Sequence, residues 1–149
     1  MKKTFTAKAT DNPLPKRRQS EKVKLTVPFH DVDSLGVVWH GHYYKYFEIA
    51  RTAFFKRRGF DISEMESSGY VWPIIESHCR YGAPLRYGMS FEVTATLCEV
   101  EHRVKFLYSI TDRMTRSCLT TGYTIQATVH RRTGTLRLTT PQVLLRRLQ

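Results

Sequence analysis

Hydrophobic and polar residues alternate with a period of two along most of this chain, and in one place the period lengthens to that of a helix. Val23, Leu25, Val27 and Phe29 alternate with Lys24, Thr26 and Pro28, the pattern of a half-buried strand. Pro28 has no N–H to give a ladder and belongs at a strand end or edge. From about His42 to Arg58 the spacing changes. Tyr43, Phe47, Ala50 and Phe54 fall at i, i+4, i+7 and i+11, and Tyr46 and Ala53 widen the stripe, which predicts one amphipathic helix. Lys56, Arg57 and Arg58 occupy its last turn, beside the negative end of the dipole, and Gly59 stands where a left-handed terminating residue is expected. So aromatic a helix predicts a sheet covering most of its girth. A short helical turn is expected at 63–67, ended by Gly69.

The remainder reads as β. Residues 70–81 form a strand candidate with Pro73 inside it, which points to a bulge or an edge. Phe91, Val93, Ala95 and Leu97 alternate with polar residues, as do Val104, Phe106, Tyr108 and Ile110. Leu119, Thr121, Tyr123, Ile125, Ala127 and Val129 read as one long strand. Thr133-Gly134 marks a tight hairpin into Leu136 and Leu138, and 141–148 suits a last helical turn. Strand, long helix, then about five strands is an α+β order: one antiparallel sheet packed on one helix.

The length of 149 residues fits one domain. Residues 1–21 show no periodicity and read as a basic tail, leaving 22–149 as a single domain. The net charge of +11 is unevenly spread: +5 falls in 1–22, +5 in 131–149, and about +1 in the long middle. A basic chain can meet nucleic acid, anionic lipid or a phosphorylated ligand. A nucleic-acid binder interleaves a basic stripe with exposed aromatics; here the aromatics lie in the near-neutral middle, which argues against it. Cys79, Cys98 and Cys118 are odd in number and form no CxxC, so neither a disulfide framework nor a zinc pattern is read, and small core filler is expected. No stretch reaches 18 apolar residues and none resembles a signal peptide, so no membrane span and a cytoplasmic location are expected.

The chemistry concentrates between the first strand and the helix, in Phe29-His30-Asp31-Val32-Asp33-Ser34-Leu35-Gly36-Val37-Val38-Trp39-His40-Gly41-His42-Tyr43. Residues at a helix start carry N–H groups with no intrahelical acceptor, at the positive end of the macrodipole. The N–H groups of His40 and Gly41 are therefore candidate donors to a developing oxyanion, each worth about 3–4 kcal/mol in acyl transfer. A carboxylate near them can attack a carbonyl or activate water. Asp31 and Asp33 are equally natural as turn or capping residues. His40-x-His42 invites a metal reading, but no HExxH or CxxC accompanies it, and no metal or other cofactor is expected.

This stretch, continued by Tyr44-Lys45-Tyr46-Phe47-Glu48-Ile49-Ala50-Arg51, resembles the signature of the 4-hydroxybenzoyl-CoA thioesterase family of hotdog-fold enzymes, near its Tol-Pal-associated subgroup. Asp31, Asp33, Gly36, Val37, Val38, Trp39, His40, Tyr43, Phe47, Glu48 and Arg51 fall in place. Cys79-Arg80-Tyr81 and Pro84-Leu85-Arg86-Tyr87-Gly88 are similar to the family's second strand and following turn. The resemblance implies the hotdog fold, a sheet wrapped around one central helix. It implies hydrolysis of an acyl-CoA with Asp33 as nucleophile or general base. It implies a backbone N–H at His40 polarising the thioester, with the His40 imidazole tied to activity. It also implies dimers or tetramers with interface sites. Trp39, His42, Tyr43 and Trp72 are the expected substrate contacts. His102, Arg103 and Lys105 are the expected cations for the phosphates of coenzyme A, and Glu48 with Arg51 the expected intrahelical pair. His42 stands where relatives often carry Asn or Ser. An acyl carrier protein is the alternative substrate carrier, since basic ends suit an acidic partner.

Overall fold

The structure, a computed structural model, describes residues 18–148. The expected tail lies almost wholly outside the described residues. Strand β1 (Ser20–Thr26) begins two residues ahead of the expected domain boundary and stops before Pro28. The long helix α1 (His42–Arg57) and a short helix α2 (Ile62–Ser67) follow. Then come β2 (Tyr70–Val71), β3 (Ile74–Tyr81), β4 (Ser90–Glu99), β5 (Val104–Asp112), β6 (Cys118–Gln126), β7 (Thr128–His130) and β8 (Leu136–Arg137), with one final turn α3 (Gln142–Leu145).

Five strands form an antiparallel sheet in the order β1-β4-β5-β6-β3, and β2-β7-β8 form a second, smaller one. The expected single sheet and the single long strand over 119–129 are thus corrected. The chain breaks between Gln126 and Thr128: the Ala127 N–H donates to the Pro73 carbonyl at 3.1 Å, the last bond of the β3–β6 pairing, and β7 joins the other sheet. Pro73 acts as expected: it separates β2 from β3, and β3 is an edge strand with a register shift between Ile74 and Glu76.

The alternation predicted for β4 and β5 is realised. Phe91, Val93 and Ala95 on one, and Phe106 and Ile110 on the other, are wholly buried against α1. On the helix, Phe47, Ala50 and Phe54 are equally buried. Phe47 stacks on Tyr108 at 4.5 Å and Phe54 meets Phe106 edge-on at 4.9 Å. Each such ring removed from water stabilises the fold by about 1.5–3 kcal/mol. Gly122 on β6 permits the approach, because a Cβ there would fall 2.6 Å from the Phe47 ring. Gly59 ends α1 with φ of 66°, as its position predicts. Of the cysteines expected as core filler, half-buried Cys79 packs against the core, whereas Cys98 is half-buried outside it and Cys118 is exposed.

Candidate active site

The loop between β1 and α1 folds into a miniature hairpin. Phe29–Asp31 make one 3-10 turn, after which Val32 bridges to Val38. The Asp33 N–H donates to the Val37 carbonyl at 2.9 Å, and the Gly36 N–H to the Asp33 carbonyl at 3.0 Å. Gly36 adopts φ of 76°, so the loop is a tight turn closed by a left-handed residue, which only glycine takes without strain. Val38 is buried, and its N–H donates to the Leu85 carbonyl at 2.9 Å. The hairpin is thereby held to the loop after β3.

The two acids of this loop diverge. Asp31 is 1% exposed and accepts from Lys45 Nζ and the Tyr46 hydroxyl, each at 2.5 Å, with His42 Nε2 and His30 Nε2 both at 3.8 Å. Burial pushes its carboxyl up, but the hydrogen bonds from Lys45 and Tyr46 and the charges of Lys45 and His42 outweigh that and hold it below the ordinary aspartate range. Burial, followed by this carboxylate, pushes the Tyr46 phenol far up. Asp33 is half-buried, and its one hydrogen bond to a side-chain oxygen comes from the Leu35 N–H to Oδ1 at 2.8 Å. Among the described residues nothing donates to its Oδ2.

At the start of α1, the Trp39 N–H donates to the Asp31 carbonyl and the His42 N–H to the Trp39 carbonyl, both at 3.0 Å. The N–H groups of His40 and Gly41 donate to no acceptor among the described residues. Gly41 is the N-cap residue, no side chain caps the helix, and its first turn holds no acid. This is a positive helix end left open. Glycine at position 41 has a packing reason. Its face is covered by the Trp39 indole, which a Cβ would meet at 2.2 Å.

Asp33 and His40 line one cavity of about 280 Å³, together with Leu35, Val37, Val38, Tyr43, Tyr81 and the Gly82-Ala83-Pro84 turn. Of the residues singled out in the sequence, this hollow gathers Asp33, His40 and Tyr43. The Tyr43 hydroxyl accepts from the Leu85 N–H at 3.3 Å, and burial pushes its phenol up. Trp39 and His42 pack edge-on beside it at 5.3 Å, with His42 turned toward Asp31 rather than the cavity. Trp72 is elsewhere, against Phe60 and Tyr70. His102, Arg103 and Lys105 are also outside it, each held by its own chain: His102 to the Leu138 carbonyl, Arg103 to Glu99, Lys105 over the Tyr123 ring. Arg51 forms no ion pair with Glu48. It reaches the Tyr108 and Thr124 hydroxyls at 3.3 and 3.5 Å, which corrects the expected intrahelical pair. Sequence reasoning missed Tyr81 as a site residue. Its place at the end of β3, ahead of a Gly-Ala-Pro turn, was the available signal.

A profile of the thioesterase-like superfamily matches residues 27–148. The chain belongs to that superfamily. Among curated relatives of this thioesterase-like protein, one from Aquifex aeolicus, provisionally named an esterase, is 37% identical over 83 residues, covering 56% of this chain and 64% of that one. A Bacillus subtilis relative, provisionally named acyl-CoA thioesterase YneP, is 36% identical over 67 residues, covering 45% and 49%. The chain thus spans about half to two thirds of the length of the curated relatives it matches. A 1,4-dihydroxy-2-naphthoyl-CoA thioesterase from Synechocystis superposes with a TM-score of 0.79 over 87% of this chain and 96% of that one, at 17% identity. The fold is accordingly the hotdog, as the resemblance implies.

Proposed function

We propose that this protein is an acyl-CoA thioesterase whose reacting carboxylate is Asp33. The observation that carries the reading is the shared hollow of Asp33 and His40: an aspartate with an uncommitted oxygen, beside an unoccupied amide donor at an open helix start. The thioester carbonyl oxygen accepts from the His40 N–H, the acyl group lies against Tyr43, Leu35 and Val37, and the carbonyl carbon faces Asp33. Asp33 then attacks it, giving an acyl-aspartyl anhydride that water opens, or takes a proton from attacking water. The leaving thiolate, of a thiol with pKa near 8.5, departs without a dedicated acid. The His40 imidazole stands at the rim, between Trp39 and Tyr81, and assists on the leaving-group side. Coenzyme A as carrier is supported by two similar proteins, the Bacillus subtilis relative provisionally named an acyl-CoA thioesterase and the naphthoyl-CoA thioesterase from Synechocystis. The three free thiols suit a reducing compartment, the cytoplasm. None of the described helices is long and apolar enough to cross a membrane.

The test is thiol release from a panel of acyl- and aryl-CoA esters by wild type and Asp33→Asn. The expected result is hydrolysis by the wild type and a loss of at least about 100-fold in kcat in the variant, at unchanged melting temperature. A variant as fast as wild type would falsify the assignment.

The functional unit in this reading is a homodimer built on β3. One edge of β3 pairs with β6; among the described residues the other has no strand beside it, and Ile74, Ile75 and Tyr81 on it are 42%, 62% and 45% exposed. An open edge of eight residues, apolar at both ends, is a template for a second strand, and a second copy supplies one in antiparallel register. Light scattering is expected to give at least twice the chain mass of 17.4 kDa; a monomer at assay concentration contradicts it.

A further inference from the structure

The backbone donor at the helix start has a keeper on the opposite strand. The Tyr81 hydroxyl, at the end of β3, donates to the His40 carbonyl at 2.7 Å, across 41 residues of chain. The Tyr81 ring packs edge-on against Tyr43 at 4.8 Å and stands edge-on to the His40 ring at 6.4 Å. These contacts fix the ring from two sides, and all three residues line the same cavity. The phenol remains a donor, since burial and then the Cys79 thiol push its ionisation well above neutrality.

We propose that Tyr81 is a positioning residue that holds the His40–Gly41 peptide, keeping the His40 carbonyl engaged on the phenol and turned from the reacting oxygen. The inference rests on the thioesterase reading above. A carbonyl and an amide N–H on one residue are the two ends of what a reacting oxyanion meets: one repels it and the other stabilises it. Tyr81 engages the His40 carbonyl, which removes its negative end from the anion's surroundings and sets the rotation of the His40–Gly41 peptide. Beside the turn that the His42 N–H closes on the Trp39 carbonyl and the Trp39 indole over Gly41, no side chain caps this helix start. Without the hydroxyl, this peptide is free to turn its carbonyl toward the hollow, where its negative end opposes the oxyanion that the His40 N–H stabilises. Tyr81 touches no reacting atom in this scheme and acts through His40.

The test is Tyr81→Phe, which keeps the ring and its edge contacts and deletes one hydroxyl. Loss of one neutral hydrogen bond expressed mainly in the transition state predicts a fall of about three- to tenfold in kcat with KM unchanged. The same factor is expected for every acyl group, because the bond concerns the carbonyl and not the acyl chain. In parallel, the backbone ¹⁵N resonance of Gly41, whose nitrogen shares a peptide with the His40 carbonyl, is expected to move upfield in the variant. An unchanged kcat, or a rise in KM with kcat intact, overturns the positioning role, as does a Gly41 resonance that does not move. A wild type inert toward thioesters sinks the functional reading instead, and the Gly41 resonance then still decides whether the bond orients the peptide.

Discussion

Asp31 and Asp33 are two residues apart in one loop, and the fold has given them opposite surroundings. Asp31 is sealed beneath the helix start with Lys45 and Tyr46 on its two oxygens; Asp33 sits in a turn with one oxygen uncommitted and a cavity in front of it. Residues two apart in an extended segment would share one side; here Asp31 ends a 3-10 turn and Asp33 lies beyond the bridge between Val32 and Val38, and this change of backbone geometry separates them. One acid therefore staples the loop to the helix, and the other is presented by the structure so stapled. A pair of like residues at this spacing is two parts of one device rather than a matched catalytic couple.

Three substitutions break or sharpen that contrast. The largest effect is expected at Asp33: the Asn variant loses at least about 100-fold in kcat and keeps its melting temperature, read by thiol release and calorimetry. Asp31→Asn shows the converse, a loss of about 1.5–3 kcal/mol in denaturant unfolding with activity per folded molecule retained. Its pH behaviour carries a second signature. The native carboxyl is depressed, so its stabilisation is complete above the unfolded value near 3.9 and vanishes as pH falls through the lower folded value. The wild type should therefore lose stability below about pH 4, and Asp31→Asn should flatten that limb; parallel acid limbs would mean that the Lys45 contact does not matter to folding. The smallest effect belongs to Gly36→Ala. Nothing crowds a Cβ there, but φ of 76° is left-handed, so about 1 kcal/mol of stability is expected to go, and the presentation of Asp33 with it. A Gly36→Ala protein of wild-type stability would mean that the turn tolerates another geometry.

Much of this architecture was legible in residue spacing. The helical stripe from Tyr43 to Phe54 and the alternation of β4 and β5 have long, regular periods, and burial follows them residue by residue. Pro73 announced the edge and the bulge because a missing N–H has few places to go. The split after Gln126 was illegible, since Ala127 and Val129 continue the apolar rhythm across the point where one sheet ends and the other begins. Within the site, the order of residues marked the loop but not the division of labour between its acids. Lys45 and Tyr46 reach Asp31 from the first turns of the helix, and no sequence period joins a loop to the helix packed on it. Arg51 illustrates the same limit: helical spacing offered Glu48, whereas the fold offered two hydroxyls on the sheet.

The close seat of Phe47 on Tyr108, admitted by the bare backbone of Gly122, has one last consequence. At this seat helix and sheet leave no room for a guest. In the proposed reaction the acyl tail then takes its room in the hollow by Leu35 and Pro84 or against a neighbouring molecule. Tolerance for tail length is then a property of surfaces that meet, and reshaping it calls for changes at the rim rather than in the core.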